Sequence, residues 1–100
     1  MKTLMVRYKT SEMQAEANAA LVRAVFDELR ACAPEGLRYA SYRLADGVTF
    51  VHIATLDNPA ENPLVALASF KAFQQQLRER CIEPPVVAEL SPVDSYGLVA

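Results

Sequence analysis

His52 is the only histidine in the chain, and it lies inside an alternating run, Thr49-Phe50-Val51-His52-Ile53-Ala54. Imidazole is the side chain whose ordinary pKa lies nearest neutrality, so this residue is the first candidate for a general base or a hydrogen-bond donor. Ser41, placed across a hairpin from it, would orient the ring. Arg7 or Arg43 would hold an anionic substrate or offset a developing enolate. The competing reading makes His52 an interface residue bonded to a partner chain, and it carries more weight because no carboxylate clearly shares its face. Tyr8, Tyr39, Tyr42 and Tyr96 could each line a pocket and donate to a carbonyl. Tyr42 is preferred as a catalytic group beside His52, with Tyr39 as a substrate contact. Asn18, one turn before Leu21, is either a third catalytic group projecting into the same space or a solvated residue at the edge of its helix stripe, and Phe70 is expected to line the space.

Other chemistries lack their residues. A nucleophile needs an adjacent base, and neither Cys32 nor Cys81 comes near His52 in the expected topology. One histidine and two separated cysteines do not make a metal site, so no metal is expected. The glycines are Gly36, Gly47 and Gly97 alone, too scattered for a phosphate-cradling loop. The stretch Asp46–Ile53 superficially matches an RNA-recognition strand, but Asp46, Val48, Thr49 and Ile53 replace its basic residue and two of its stacking aromatics.

These side chains need elements to position them. Asp46-Gly47 between alternating runs predicts a hairpin with a two-residue type I′ turn. That register sets Ala45 against Val48, Arg43 against Phe50, Ser41 against His52 and Tyr39 against Ala54. Thr3–Lys9 alternates and predicts a strand. Ser11 and Gln14 have capping-box spacing for a helix running to about Ala33, with Ala17, Leu21, Ala24, Val25, Glu28, Leu29 and Cys32 facing inward. Asn62-Pro63 predicts the start of a second helix, extending to about Cys81 and stopped by Glu83-Pro84-Pro85. Val86–Leu90 predicts a last strand.

The order β-α-β-β-α-β folds most compactly as an α+β, ferredoxin-like single domain over residues 1–100. Its four-stranded antiparallel sheet has the order 4-1-3-2, with two helices on one face. The more apolar hairpin set, with Tyr42, Val51 and Ile53, is expected beneath the helices alongside Val6. Met5, Arg7, Tyr39, Ser41, Arg43, Phe50, His52 and Ala54 are expected on the bare face. A second copy packing there would bury them. The two cysteines, at opposite ends of this layout, are expected as buried thiols without a disulfide.

The chain has 100 residues, of which 52% are hydrophobic, and a net charge of −2. That much apolar surface on so small a sphere points to self-association. The acidic balance argues against a nucleic-acid partner. No apolar run reaches the length of a membrane span, the N-terminus lacks the features of a secretory signal, and the unpatterned cysteines suit a reducing cytoplasm.

The phrase FVHIATLDNP followed by LASFKAFQQQL, within this element order, resembles the dimeric α+β-barrel superfamily and its antibiotic-biosynthesis-monooxygenase-like domains. The resemblance runs from Leu4 to Tyr96 and is strongest over Ala68–Phe73. It implies a homodimer joined through the helix-free sheet faces and a pocket between each sheet and its own helices. Small aromatic or polyketide-like ligands are implied, with cofactor-independent oxygenase activity in some members and haem degradation in others. Histidines found in the second helix of the enzymes are replaced here by Val65-Ala66-Leu67-Ala68-Ser69-Phe70, and the chain has no tryptophan. No cofactor is therefore expected. The alternative is a non-catalytic dimeric binding or stress-response module with the same pocket.

Overall fold

In the computed structural model, which describes residues 1–98, the first alternating run forms strand β1 (Lys2–Thr10). Val99 and Ala100, the end of the expected domain, lie outside the described residues. Ser11 is extended but makes no side-chain cap, so the expected capping box does not form. A backbone bond from Gln14 N–H to the Ser11 carbonyl (3.1 Å) instead opens a 3₁₀ turn that leads into helix α1 (Ala15–Cys32). Ala33 ends α1 in the left-handed region, with φ 43°.

The inner stripe of α1 is rotated from the expected one. Ala15, Asn18, Ala19, Val22 and Val25 are buried, whereas Ala17, Ala24 and Cys32 are exposed. The reason is Asn18, a polar residue that apolar spacing places at the stripe edge but that hydrogen bonds draw inward. Glu28 also turns toward the protein. Its carboxylate accepts from the Ser69 backbone N–H (2.9 Å) and hydroxyl (2.5 Å), tethering α1 to the start of the next long helix.

Strands β2 (Leu37–Arg43) and β3 (Thr49–Leu56) pair in the expected register, with Arg43 opposite Phe50, Ser41 opposite His52 and Tyr39 opposite Ala54. The turn differs. Gly47 N–H donates to the Leu44 carbonyl (2.9 Å), and Gly47 but not Asp46 has positive φ, so Ala45 and Val48 belong to the loop and do not pair. Asp46 accepts from Val48 N–H, Thr49 N–H and the Thr49 hydroxyl, which makes the longer loop rigid.

The second helical segment is three pieces rather than one. Asn62 accepts from Leu64 N–H (3.0 Å) ahead of Pro63, the expected cap, and starts a 3₁₀ turn over Pro63–Ala66. Extended Leu67 separates that turn from α2 (Ala68–Gln74), and left-handed Gln76 (φ 62°) separates α2 from α3 (Leu77–Arg80). Cys81 then opens β4 (Cys81–Leu90) instead of closing a helix. Pro84 and Pro85 sit inside this strand. They are tolerated because β4 is at the sheet edge and its register with β1 shifts there, between Lys9–Glu83 and Arg7–Val86.

The sheet is antiparallel in the order β2-β3-β1-β4, which is the expected 4-1-3-2 read from the other edge, with the helices on one face. The face assignment of the hairpin is the main correction. Val6 lies opposite His52 and Tyr8 opposite Phe50, and opposed residues share a face. Tyr39, Ser41, Arg43, Phe50, His52 and Ala54 therefore lie on the helix side, where Phe50 joins Tyr8, Val22, Val25, Leu64 and Phe73 in the core. Tyr42, Val51 and Ile53 share the open face with Met5 and Arg7, and Tyr42 is 57% exposed. Total apolarity misled because the inward set is fewer in aliphatics but richer in rings, which bury more area per residue. Neither cysteine is buried as expected: Cys32 is exposed, Cys81 is intermediate, and both are free thiols. No helix among the described residues is long and apolar enough to cross a membrane.

Candidate functional site

The core is not uniformly apolar. Four polar side chains meet between β1, β3, α1 and the end of α3: Tyr8 (1% exposed), Asn18 (0%), His52 (4%) and Arg80 (8%). Strand alternation brings Tyr8 and His52 inward on neighbouring strands, two residues out of register. Helix α1 lowers Asn18 onto them, and α3 ends with Arg80 turned back into the protein.

They form a continuous hydrogen-bonded chain. Arg80 Nε–H donates to Asn18 Oδ1 (3.1 Å), and Asn18 Nδ2–H donates to the Tyr8 hydroxyl oxygen (2.8 Å). The Tyr8 hydroxyl is 2.7 Å from His52 Nε2, and His52 Nδ1 is 2.9 Å from the Tyr39 hydroxyl. Burying so many polar groups is tolerable only when all are paired, and no buried side-chain nitrogen or oxygen among the described residues lacks a partner. Among the described residues no carboxylate pairs with Arg80; its Nη1 and Nη2 groups donate to the Gln75 (3.1 Å) and Phe73 (2.6 Å) carbonyls. Those are among the carbonyls that the break between α2 and α3 would leave open, so one guanidinium closes the helix end and anchors the chain.

Burial sets the protonation states. It pushes the His52 imidazole down to about 4, so the ring is neutral at pH 7. It pushes the Tyr8 hydroxyl well above its ordinary value and Tyr39 up to about 12, so both remain protonated. Rings pack along the chain: His52 lies 5.3 Å from Tyr8 and 5.4 Å from Phe73, and Tyr39 stacks on Phe26 at 5.1 Å.

This chain borders a cavity of about 510 Å³ between the sheet and the helices. Leu4, Val6, Tyr8, Tyr39, His52 and Ala54 form its floor, Leu64, Phe70, Phe73 and Leu77 its roof, and Gln74, Gln76, Arg78 and Glu79 contribute polar lining. An apolar cleft of this size with a few converging polar groups is the usual form of a small-molecule site. Among the described residues no cluster of histidine, cysteine or carboxylate side chains could hold a metal ion.

The candidate residues therefore separate. His52, Asn18 and Tyr39 join one chain, and Phe70 lines the same cavity. Ser41 lies on the helix side at the β2 edge, in a neighbouring groove against α1. Arg43 is also there but engaged: it pairs with Glu16 (2.6 Å), donates to the Gly47 carbonyl (2.7 Å) and lies over Phe50. Tyr42 and Arg7 are on the other face of the sheet. Arg80 was not among the sequence candidates, and Tyr8 was not preferred among the tyrosines. The inward parity of Tyr8 with Leu4 and Val6 was a signal for it; nothing local marks Arg80, which only the break at Gln76 turns inward.

A ferredoxin-like α+β sheet with a cavity beneath its helices defines the class of protein. No protein-family model and no curated protein matches the chain. Solved structures do. Rv0793 from Mycobacterium tuberculosis is 23% identical, with a TM-score of 0.74 over 94% of this chain and 96% of that one. An antibiotic biosynthesis monooxygenase is 16% identical, with a TM-score of 0.77 over 94% of this chain and all of that one. NE2512 from Nitrosomonas europaea, a protein of unknown function, is 15% identical, with a TM-score of 0.73 over 99% and 95% of the two chains. The chain thus has the fold of antibiotic-biosynthesis-monooxygenase-like domains.

Proposed function

We infer that this is a small cytoplasmic homodimer of the α+β-barrel type, whose sheet–helix cavity takes a small aromatic or polyketide-like molecule for cofactor-independent oxygenation. The observation that carries the reading is the hydrogen-bonded run from Asn18 through Tyr8 and His52 to Tyr39, ending at a mainly apolar cavity. Free Cys32 and Cys81 suit a reducing compartment.

In such a reaction a ring methylene beside a carbonyl or phenol loses a proton to water, giving a carbanion whose charge rests largely on that oxygen. The carbanion reduces O₂; one oxygen atom stays on carbon as a new carbonyl and the other leaves as water. All four electrons come from the substrate. The chain's contribution is to exclude bulk water and to stabilise the anionic oxygen with the Tyr39 hydroxyl, which His52 holds in place. Oxygen uptake by the protein with a panel of phenols and aryl ketones tests this. Turnover that falls roughly 10²-fold or more in Tyr39→Phe supports oxygenation.

One observation favours the second reading, a binding module without turnover: both imidazole nitrogens already face tyrosine hydroxyls, so His52 has no nitrogen left to act directly on a ligand. Ligand binding with no oxygen consumption across the panel would decide for it.

A further inference from the structure

The polar end of the cavity is controlled from a residue outside its lining. Arginine can only donate hydrogen bonds. The bond from Arg80 Nε–H to Asn18 Oδ1 therefore settles which way the Asn18 carboxamide points, oxygen toward Arg80 and nitrogen toward Tyr8. The Tyr8 oxygen is then an acceptor, and its single proton is directed to His52 Nε2. A neutral imidazole that accepts at Nε2 carries its proton on Nδ1, and Nδ1–H donates to the Tyr39 oxygen. The opposite tautomer would leave the Tyr8 proton buried with no acceptor, since Tyr8 is 1% exposed and His52 is the only acceptor it meets among the described residues. The Tyr39 hydroxyl proton meets no acceptor among the described residues, and Tyr39 lines the cavity.

We propose that Arg80, through Asn18, Tyr8 and His52, holds Tyr39 as a hydrogen-bond donor toward the cavity, so that the site selects ligands presenting an acceptor oxygen, such as an aryl ketone, quinone or enolate. The ligand half of this rests on the small-aromatic reading above; the direction of the hydrogen bonds does not. Arg80 and Asn18 are positioning residues that act through the chain. Asn18→Asp should reverse it. A carboxylate accepts from both sides, so Tyr8 would donate to residue 18, accept from His52 Nε2–H, and turn Tyr39 into a donor to Nδ1. The cavity would then face an acceptor.

Because His52 is the only histidine, nitrogen NMR of the labelled protein at pH 7 reads its tautomer without assignment ambiguity. The expected result is a protonated Nδ1 and a bare Nε2 in the native chain, with the proton on Nε2 in Asn18→Asp. A native ring protonated on Nε2 overturns the proposal with no variant needed. In parallel, α-tetralone and its hydrocarbon counterpart tetralin are titrated into the native protein. The ketone is expected to bind about tenfold more tightly, as one good hydrogen bond requires, with the preference lost in Tyr39→Phe. Equal binding of the two overturns the selection rule while leaving an aromatic pocket intact. Failure of both probes to bind counts against the small-aromatic reading, and the tautomer then decides the hydrogen-bond direction alone.

Discussion

A histidine held neutral by burial leaves a signature in stability that requires no ligand. His52 titrates near 4 in the folded chain and near 6.5 when unfolded. As pH falls below 6.5 the unfolded chain takes up a proton that the folded chain refuses until about 4, so stability is lost across that window and recovered as pH rises. Between pH 7 and pH 5 the loss amounts to about 2 kcal/mol. Asp46, held down to about 2 by the Thr49 hydroxyl and by backbone N–H groups, and Glu28, lowered by Ser69, add only a shallow slope of the same sign above pH 5, where their carboxyls in the unfolded chain have taken up little proton. Urea midpoints at the two pH values should therefore differ in the native chain and nearly coincide in His52→Gln. An equally steep variant would assign the slope elsewhere. Arg80 makes a second residue-scale prediction. Arg80→Met keeps the stem but leaves the Phe73 and Gln75 carbonyls and Asn18 Oδ1 without their donor, at a cost of about 2–4 kcal/mol in denaturant melts.

At the scale of elements, α1 ends on a residue poorly suited to its conformation. Ala33 has φ 43° and ψ 57° directly before Pro34, where a Cβ crowds the backbone and glycine does not. Ala33→Gly should raise stability by about 1 kcal/mol, seen as a higher denaturant midpoint at unchanged slope. The local signals for elements were readable from the sequence: alternation in β1, Asp46-Gly47 between two strands, Asn62-Pro63 at a helix start. Element order and strand order follow from them, and so does the β2–β3 register. What could not be read is which side of the hairpin faces α1. A shift of one residue between β1 and β3 exchanges the faces, and no turn joins those two strands to pin their register. The split of the second helix was equally hidden, because Gln74-Gln75-Gln76 is as compatible with a helix as with its interruption, and the compensating Arg80 bonds are tertiary. Hence His52, Asn18, Tyr39 and Phe70 could be proposed individually from the sequence, while the chain linking the first three through Tyr8 and on to Arg80 could not.

For the whole molecule, the corrected faces change what would hold the second copy of the proposed dimer. The open side of the sheet carries the central cross-strand rows Tyr42–Val51–Arg7–Val86 and Ala40–Ile53–Met5–Ala88, apolar apart from Arg7, with charged Lys9, Glu83 and Arg38 in the rows flanking them. Tyr42 and Val86 are exposed there at 57% and 65%. An apolar patch of this kind is what a self-associating protein presents, and in the proposed dimer it would pack against its own copy. Ile53 occupies an inner strand of that face, so a charge at this position would be desolvated by the partner while remaining solvated in the separated chain. Ile53→Asp should sediment as a folded monomer at concentrations where the native chain is a dimer. Phe50→Asp should behave differently, because Phe50 is 3% exposed inside the core and stacks at 5.5 Å on Tyr8. Burying an unpaired carboxylate there should unfold the chain, with loss of the far-ultraviolet circular dichroism signal, rather than yield a stable monomer. If Ile53→Asp stays dimeric, the copies meet elsewhere and the open face needs another explanation; if Phe50→Asp folds as a monomer, the face assignment itself is reversed.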